Sequence, residues 1–109
     1  MMNKAFVDHR IYTIQPRCMP KFLEVFETLA MPVLRKHLGE PLGFYISSIG
    51  TLNEVVHLWG YDSLDDYQQR SFARDTDPEF QNYLKASEGL ILSQVSQIVK
   101  PISFNRINE

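Results

Sequence analysis

Residues 48–61 read SIGTLNEVVHLWGY, a polar turn that runs directly into a strand of β-branched and aromatic residues. Small and polar residues at 50–53 are typical of a turn, and strand-favouring residues lie on both sides, so the stretch predicts a β-hairpin. Side chains alternate between the two faces of a strand, which places His57, Trp59 and Tyr61 on one face. We expect one face of this hairpin to pack and the other to be available for binding.

The residues before the hairpin predict a long helix with an irregularity inside it. Apolar residues recur at helical spacing from Pro20 to Leu38, and Gly39 is suited to the left-handed conformation that commonly ends a helix. Pro32 lies inside this stretch and has no backbone N–H to donate. We therefore expect a kink near residues 30–31 or a division into two shorter helices.

Two more helical segments are predicted after the hairpin. Ser63 is a favourable N-cap, and the helix behind it is expected to turn Leu64, Tyr67 and Phe72 towards the core. A further helix is predicted to begin at Pro78, because proline is favoured in the first turn of a helix.

The predicted strands cover residues 6–14, 42–49, 54–61 and 92–102, which gives the element order β, α, β, β, α, β. This order predicts a ferredoxin-like α+β fold, in which helices cover one face of a four-stranded antiparallel sheet. The other face would remain bare and would carry apolar side chains, as is typical of an interface. We therefore expect a homodimer in which two sheets pack face to face.

Composition limits the possible classes of function. The 109 residues predict a single domain, 1–109, and a formal net charge of -2 without a basic stripe argues against nucleic acid binding. Cys18 is the only cysteine, so no disulfide can form within one chain, which fits a cytoplasmic location. We expect no membrane insertion, because no apolar run is long enough to span a bilayer.

Several blocks of the sequence resemble the NIPSNAP family, a group within the dimeric α/β-barrel superfamily. The blocks that carry the resemblance are VHLWGYDSL at 56–64, RIYT at 10–13, RKHLG at 35–39, GF at 43–44 and IGTLN at 49–53. Two positions depart from the family's pattern: Asp8 stands where a glutamate is usual, and CMP at 18–20 replaces a glycine-rich turn. The resemblance implies the dimeric α/β-barrel fold over nearly the whole chain.

The resemblance implies no settled activity, because relatives on this fold carry out unrelated functions. They include cofactor-independent monooxygenases that act on aromatic compounds. One hypothesis is therefore that the chain binds a small aromatic or amphipathic molecule, with cofactor-independent oxygenation as the candidate reaction. The alternative is a non-enzymatic protein-interaction module.

Five residues make up the candidate site. His57 is the candidate general base, because its ring titrates near neutral pH, and Trp59 and Tyr61 could stack on a flat substrate. Arg10 and Tyr12 share a strand face and could bind an anionic or phenolic group.

Each candidate also has a structural alternative. Arg10 could pair with Asp8 or with a helix carboxylate, since a buried guanidinium needs a partner. His57 could be a structural histidine, and Trp59 and Tyr61 could be residues of the core or of a dimer interface.

No metal or cofactor is predicted. His9, His37 and His57 lack the spacing of a metal site, and the chain has no phosphate-binding or dinucleotide-binding motif. Arg70 and Arg74 lie one turn apart on a predicted helix, where we expect them to form a solvated face.

Overall fold

The computed structural model describes residues 4–104. Its elements in chain order are β1 (Phe6–Ile14), α1 (Met19–Val25), a π-helical segment (Phe26–Ala30), α2 (Met31–Leu38), β2 (Gly43–Ile46), β3 (Glu54–Tyr61), α3 (Leu64–Asp75), α4 (Pro78–Ala86) and β4 (Ile91–Val99). The strands form one antiparallel sheet in the order β2-β3-β1-β4. The predicted ferredoxin-like fold is therefore confirmed.

The β2–β3 hairpin forms as predicted, although β2 is shorter than expected. β3 has its predicted bounds, whereas β2 ends at Ile46. The chain turns back through a wide loop after Ile46, and two of its residues take positive φ: Gly50 at 103° and Asn53 at 64°. β4 likewise ends early, at Val99, since Pro101 cannot donate to a sheet.

The first helical region is divided, as the proline inside it predicted. The π-helical segment Phe26–Ala30 joins α1 to α2, which begins at Met31, one residue before Pro32. Pro32 has no N–H for the ordinary helical hydrogen bond, and the wider π turn accommodates that loss. Gly39 follows α2 with a φ of 84° and donates its backbone N–H to the Arg35 carbonyl, which confirms the predicted helix end.

All helical segments cover the same face of the sheet. His57, Trp59 and Tyr61 point towards the helices and are buried, whereas the alternate residues of β3 are only half-buried. Aromatic contacts that cross from helix to sheet include Phe22 on Tyr12, Phe26 on His57 and Phe44, and Tyr67 on Tyr61. The face that carries the candidate site is therefore the packed face.

The predicted inward face of α3 is wrong at two positions. Leu64 is 55% and Phe72 is 70% exposed, while Tyr67 packs against the core and Arg74 is buried. Positions 67, 70, 71 and 74 follow the spacing of a single helix face and are all at least half-buried. α3 therefore faces the core with a stripe that includes arginine rather than with its most apolar side chains.

We expect Phe72→Ala to change the free energy of unfolding by less than about 0.5 kcal/mol, because an exposed side chain loses few contacts. Phe22→Ala should instead destabilise the protein by about 3–5 kcal/mol, because Phe22 is fully buried. Urea unfolding of both variants measures the difference. A comparable loss of stability from the two substitutions would contradict the observed orientation of α3.

Candidate functional site

A narrow pocket opens between the covered face of the sheet and the helices. Its interior offers about 20 Å³ of free volume, which is room for about one water molecule. The residues that line it are Arg10, Tyr12, Phe26, Leu34, Leu38, His57, Trp59, Arg74, Phe80 and Tyr83. The structure thus brings Arg10, Tyr12, His57 and Trp59 together in one pocket.

Arg10 is held by a buried carboxylate on its own strand. Its Nε donates to Asp8 Oδ2 at 2.8 Å, and its Nη1 donates to Tyr12 Oη at 3.5 Å. The other carboxylate oxygen, Asp8 Oδ1, accepts from Ser96 Oγ on β4 at 2.6 Å. Burial disfavours the Arg10 cation, but Tyr12 and Asp8 outweigh it and keep the pKa of Arg10 above its usual value. Arg10 therefore stays charged and paired with Asp8, one of the two partners proposed as its structural alternative.

His57 is enclosed by aromatic rings. Tyr12 meets it edge-on at 4.6 Å between centroids, Phe44 stacks on it at 4.9 Å, and Phe26 lies at 5.8 Å. The residue is 1% exposed, so burial disfavours the charged imidazolium; this effect and the Arg10 charge lower the pKa of His57 to about 4. His57 is therefore neutral at pH 7.

Trp59 determines which nitrogen of His57 carries the proton. The indole Nε1, which can only donate, lies 2.7 Å from His57 Nδ1. Nδ1 must therefore accept, and the neutral ring carries its proton on Nε2. This Nε2 is buried and has no hydrogen-bond partner within residues 4–104. A general base acting at Nε2 would need a free lone pair there, which this tautomer does not supply.

The sequence prediction missed six of the residues that line the pocket, and Arg74 is the charged one among them. Its guanidinium carbon lies 5.4 Å from the centroid of the Phe80 ring, and its Nε donates to Asp75 Oδ1 at 2.9 Å. The predicted solvated face is wrong, because Arg74 is buried and Arg70 is half-buried. Its spacing of seven residues from Tyr67, two helical turns, is the signal that could have identified it.

Tyr61 lies outside the pocket lining. It is fully buried, and its ring packs edge-on against Tyr67 at 5.1 Å between centroids. Burial and the nearby Asp8 charge raise the pKa of Tyr61 to about 12. Tyr61 is a core residue in this geometry, and its role in ligand binding stays a prediction.

Outside the pocket lining, His37 pairs with an aspartate. His37 Nε2 lies 2.8 Å from Asp77 Oδ2, which ties the end of α2 to the start of α4. Over the described range 4–104, no three His, Cys, Asp or Glu side chains are grouped as metal ligands. None of the helices in that range combines the length and apolar character needed to cross a bilayer.

The NIPSNAP family model matches residues 7–106. Human protein NipSnap homolog 3A is 34% identical over 95 residues, which are 85% of this chain and 38% of the human protein. A NipSnap homolog from Dictyostelium discoideum is 50% identical over 32 residues, which are 29% of this chain and 14% of that protein. The chain thus spans less than half the length of these relatives.

Solved structures with the same fold include two bacterial NIPSNAP proteins. One, of unknown function, comes from Agrobacterium tumefaciens and is 33% identical, with a TM-score of 0.87 over 95% of this chain and 94% of that chain. An uncharacterized NIPSNAP-like domain protein from Burkholderia xenovorans is 34% identical, with a TM-score of 0.87 over 94% and 90%. A putative antibiotic biosynthesis monooxygenase from Caulobacter crescentus is 16% identical, with a TM-score of 0.66 over 92% of each chain, and shares the fold alone.

Stability should fall as the pH drops from about 7 to about 4. The unfolded chain protonates His57 near pH 6.5, whereas the folded chain keeps it neutral down to about pH 4, so the unfolded state binds more protons in this window. The difference in pKa corresponds to about 3 kcal/mol of stability, fully lost below pH 4. Urea unfolding at a series of pH values measures the decline.

His57→Asn isolates this contribution. The asparagine oxygen is two bonds from Cβ, as Nδ1 is, so an acceptor for Trp59 remains while the titrating group is removed. We expect the variant to lose less stability than the native protein between pH 7 and pH 4. His9→Asn changes a histidine on the other face of the sheet, and its unfolding at pH 7 controls for the substitution itself. An unchanged slope in His57→Asn would contradict the buried neutral state.

Proposed function

The chain belongs to the NIPSNAP family, and we propose that it works as a homodimer that binds a small aromatic or amphipathic molecule in one pocket per protomer. The observation that carries the proposal is the Nε2–H of His57, a pocket residue, which has no hydrogen-bond partner among residues 4–104. Buried donors in native proteins are nearly always paired. A ligand with an acceptor atom would satisfy this one.

The remaining lining supports a ligand with a flat apolar part. Phe26, Trp59 and Phe80 offer aromatic surface, and Arg74 offers a cation beside Phe80. Pockets that bind small molecules commonly combine apolar walls with a few convergent polar groups. This combination favours an amphipathic ligand over a purely polar one.

The Trp59 bond favours a binding role for His57 over a base role. To abstract a proton with Nε2, the ring would have to move its own proton to Nδ1 and give up the bond from Trp59. We therefore propose that His57 donates a hydrogen bond to the ligand. Cofactor-independent oxygenation stays a candidate reaction that needs a proton acceptor other than His57 in this tautomer.

One observation favours the alternative of a non-enzymatic interaction module. The pocket interior of about 20 Å³ is largely filled by the protein's own side chains. Under this alternative, the aromatic residues serve the core and the unpaired Nε2–H is an energetic penalty without a ligand to offset it.

Ligand binding and the interaction module predict different results when the purified protein is searched for a bound small molecule. We expect protein isolated from its own host to release a small aromatic or amphipathic molecule on denaturation, detected by mass spectrometry. Added back to stripped protein, that molecule should shift the indole N–H resonance of Trp59, the only tryptophan in the chain. His57→Asn should weaken this binding about tenfold, and His9→Asn should not. Extracts free of small molecules, with no Trp59 shift across a set of small aromatic compounds, would favour the interaction module.

The bare face of the sheet supports the homodimer. It carries Ile11, Val56 and Leu58 in the two central strands, and the more exposed Tyr45 and Val95 in the edge strands. β4 contains no charged residue that would protect this surface from association. Packing two such faces together would bury apolar area that the helices leave uncovered.

Val95→Lys should dissociate the homodimer. Val95 is 59% exposed in the protomer, so lysine is tolerated in a monomer but would be buried between two sheets. Gln94→Lys places the same charge one residue away on the opposite face and should leave the assembly intact. Analytical ultracentrifugation should give twice the chain mass for native protein and for Gln94→Lys, and the chain mass for Val95→Lys. A native monomer would exclude the proposed dimer.

A further inference from the structure

The charges around the pocket do not balance. Arg10 and Arg74 line it, and no acidic residue between positions 4 and 104 does. Asp8, buried behind Arg10, neutralises that guanidinium. The partner of Arg74 is Asp75, whose side chain is 56% exposed and therefore screened by water. Asp75 therefore offsets the charge of Arg74 only in part, and the pocket keeps a net positive charge of at most one unit, at Arg74.

Two of the polar groups that line the pocket present donors to it, whereas the hydroxyls of Tyr12 and Tyr83, which also line it, can donate or accept. Arg74 can only donate, and the His57 tautomer presents Nε2–H. The indole N–H of Trp59 is already used by Nδ1 of the same histidine. A ligand group that complements this set must accept hydrogen bonds and carry about one negative charge, and a carboxylate does both.

Two other ligand groups, a phenol and a phosphate, fit the pocket less well than a carboxylate does. A phenol is neutral at pH 7, so binding it as an anion would include the free energy of removing its proton. A phosphate carries close to two charges at that pH and exceeds the surplus of the pocket. A carboxylic acid arrives already ionised as a monoanion, which matches the charge available.

The walls define the rest of the ligand. Phe80 is only half-buried and lies under the Arg74 guanidinium, so this pair forms the rim of the pocket. Leu34 and Leu38 of α2 add aliphatic surface. Because the interior has room for about one water-sized group, a ligand would place a headgroup oxygen inside and its apolar body along the rim.

From these observations we infer that the pocket recognises a small planar monocarboxylate, with Nε2–H of His57 and the guanidinium of Arg74 as donors to the carboxylate. This inference rests on the proposed function and names the class of its ligand. Arg10 acts as a positioning residue in this arrangement, since its charge is already paired with Asp8.

Benzoate and benzamide provide the test, because they share a ring and differ in charge. Titrated into native protein at pH 7, benzoate should shift the Trp59 indole N–H resonance saturably and bind at least about tenfold more tightly than benzamide. This comparison requires no variant. Equal affinities would overturn the carboxylate inference and leave the proposed pocket intact. Absence of binding by both compounds at millimolar concentration would overturn the inference as well, while the search for a co-purified molecule would still decide the proposed function.

Arg74→Gln tests the source of the preference. It should reduce benzoate affinity about tenfold or more and leave benzamide affinity unchanged. Arg70→Gln is the matched control, since Arg70 lies one turn earlier on α3, outside the pocket lining, and donates to Asp66 at 2.7 Å. Arg74→Lys keeps the charge and should retain most of the preference for benzoate, which covers the case in which the glutamine variant does not fold. If a folded Arg74→Gln variant bound benzoate with unchanged affinity, a group other than Arg74 would be selecting for the anion, and the inference would be overturned.

Discussion

The hydrogen bond from Trp59 to His57 is the interaction on which the chemistry of the pocket depends. The two residues are adjacent on one face of β3, because strand side chains repeat with a period of two. In their apolar surroundings this bond is stronger than it would be in water. It determines the orientation and the tautomer of the imidazole, while burial and the Arg10 charge keep the ring neutral. The donor that His57 presents to the pocket therefore follows from one contact within a single strand.

The Asp8–Arg10–Ser96 network has a different role. A buried ion pair contributes little net stability, because desolvation offsets most of its Coulomb attraction. Ser96 connects this network to β4, which is exposed along most of its length and receives little cover from the helices. The Asp8–Arg10–Ser96 network thus aligns β1 and β4 where there is little apolar packing, and it keeps Arg10 at the base of the pocket.

Strand alternation made much of the site predictable. Arg10 and His57 are register partners on neighbouring antiparallel strands, so residues assigned to one face of each strand meet in the fold. The alternation of β3 is clear, and its bounds were predicted correctly, whereas serine and glutamine occupy both faces of β4 and blur its ends. The covered face was not predictable, because helices could pack on either side of a sheet with apolar residues on both.

The burial of Arg74 and the tautomer of His57 could not be predicted from the sequence pattern, for physical reasons. An arginine in an amphipathic helix is ordinarily assigned to the solvated face, and here its contact with Phe80 on the next helix and its bond to Asp75 offset the cost of burial. The tautomer depends on the direction of one hydrogen bond, which residue spacing does not specify. Sequence periodicity therefore identified the residues of the sheet, while the partner from α3 and the protonation of the histidine required the packed structure.

A purely structural role leaves one polar group of His57 unsatisfied among the described residues. Its Nδ1 is satisfied, but its Nε2–H is buried without a partner in the described part of the chain, and such a group costs about 1–3 kcal/mol. Burial of the neutral ring also removes stability at mildly acidic pH. A phenylalanine could fill much of the same aromatic cage without the unpaired Nε2–H, although it would leave the Trp59 indole N–H unpaired. An asparagine would keep an acceptor for Trp59. Local violations of good packing and hydrogen bonding tend to occur where function requires them. The group that makes His57 unfavourable for the fold is therefore the group that a ligand would use.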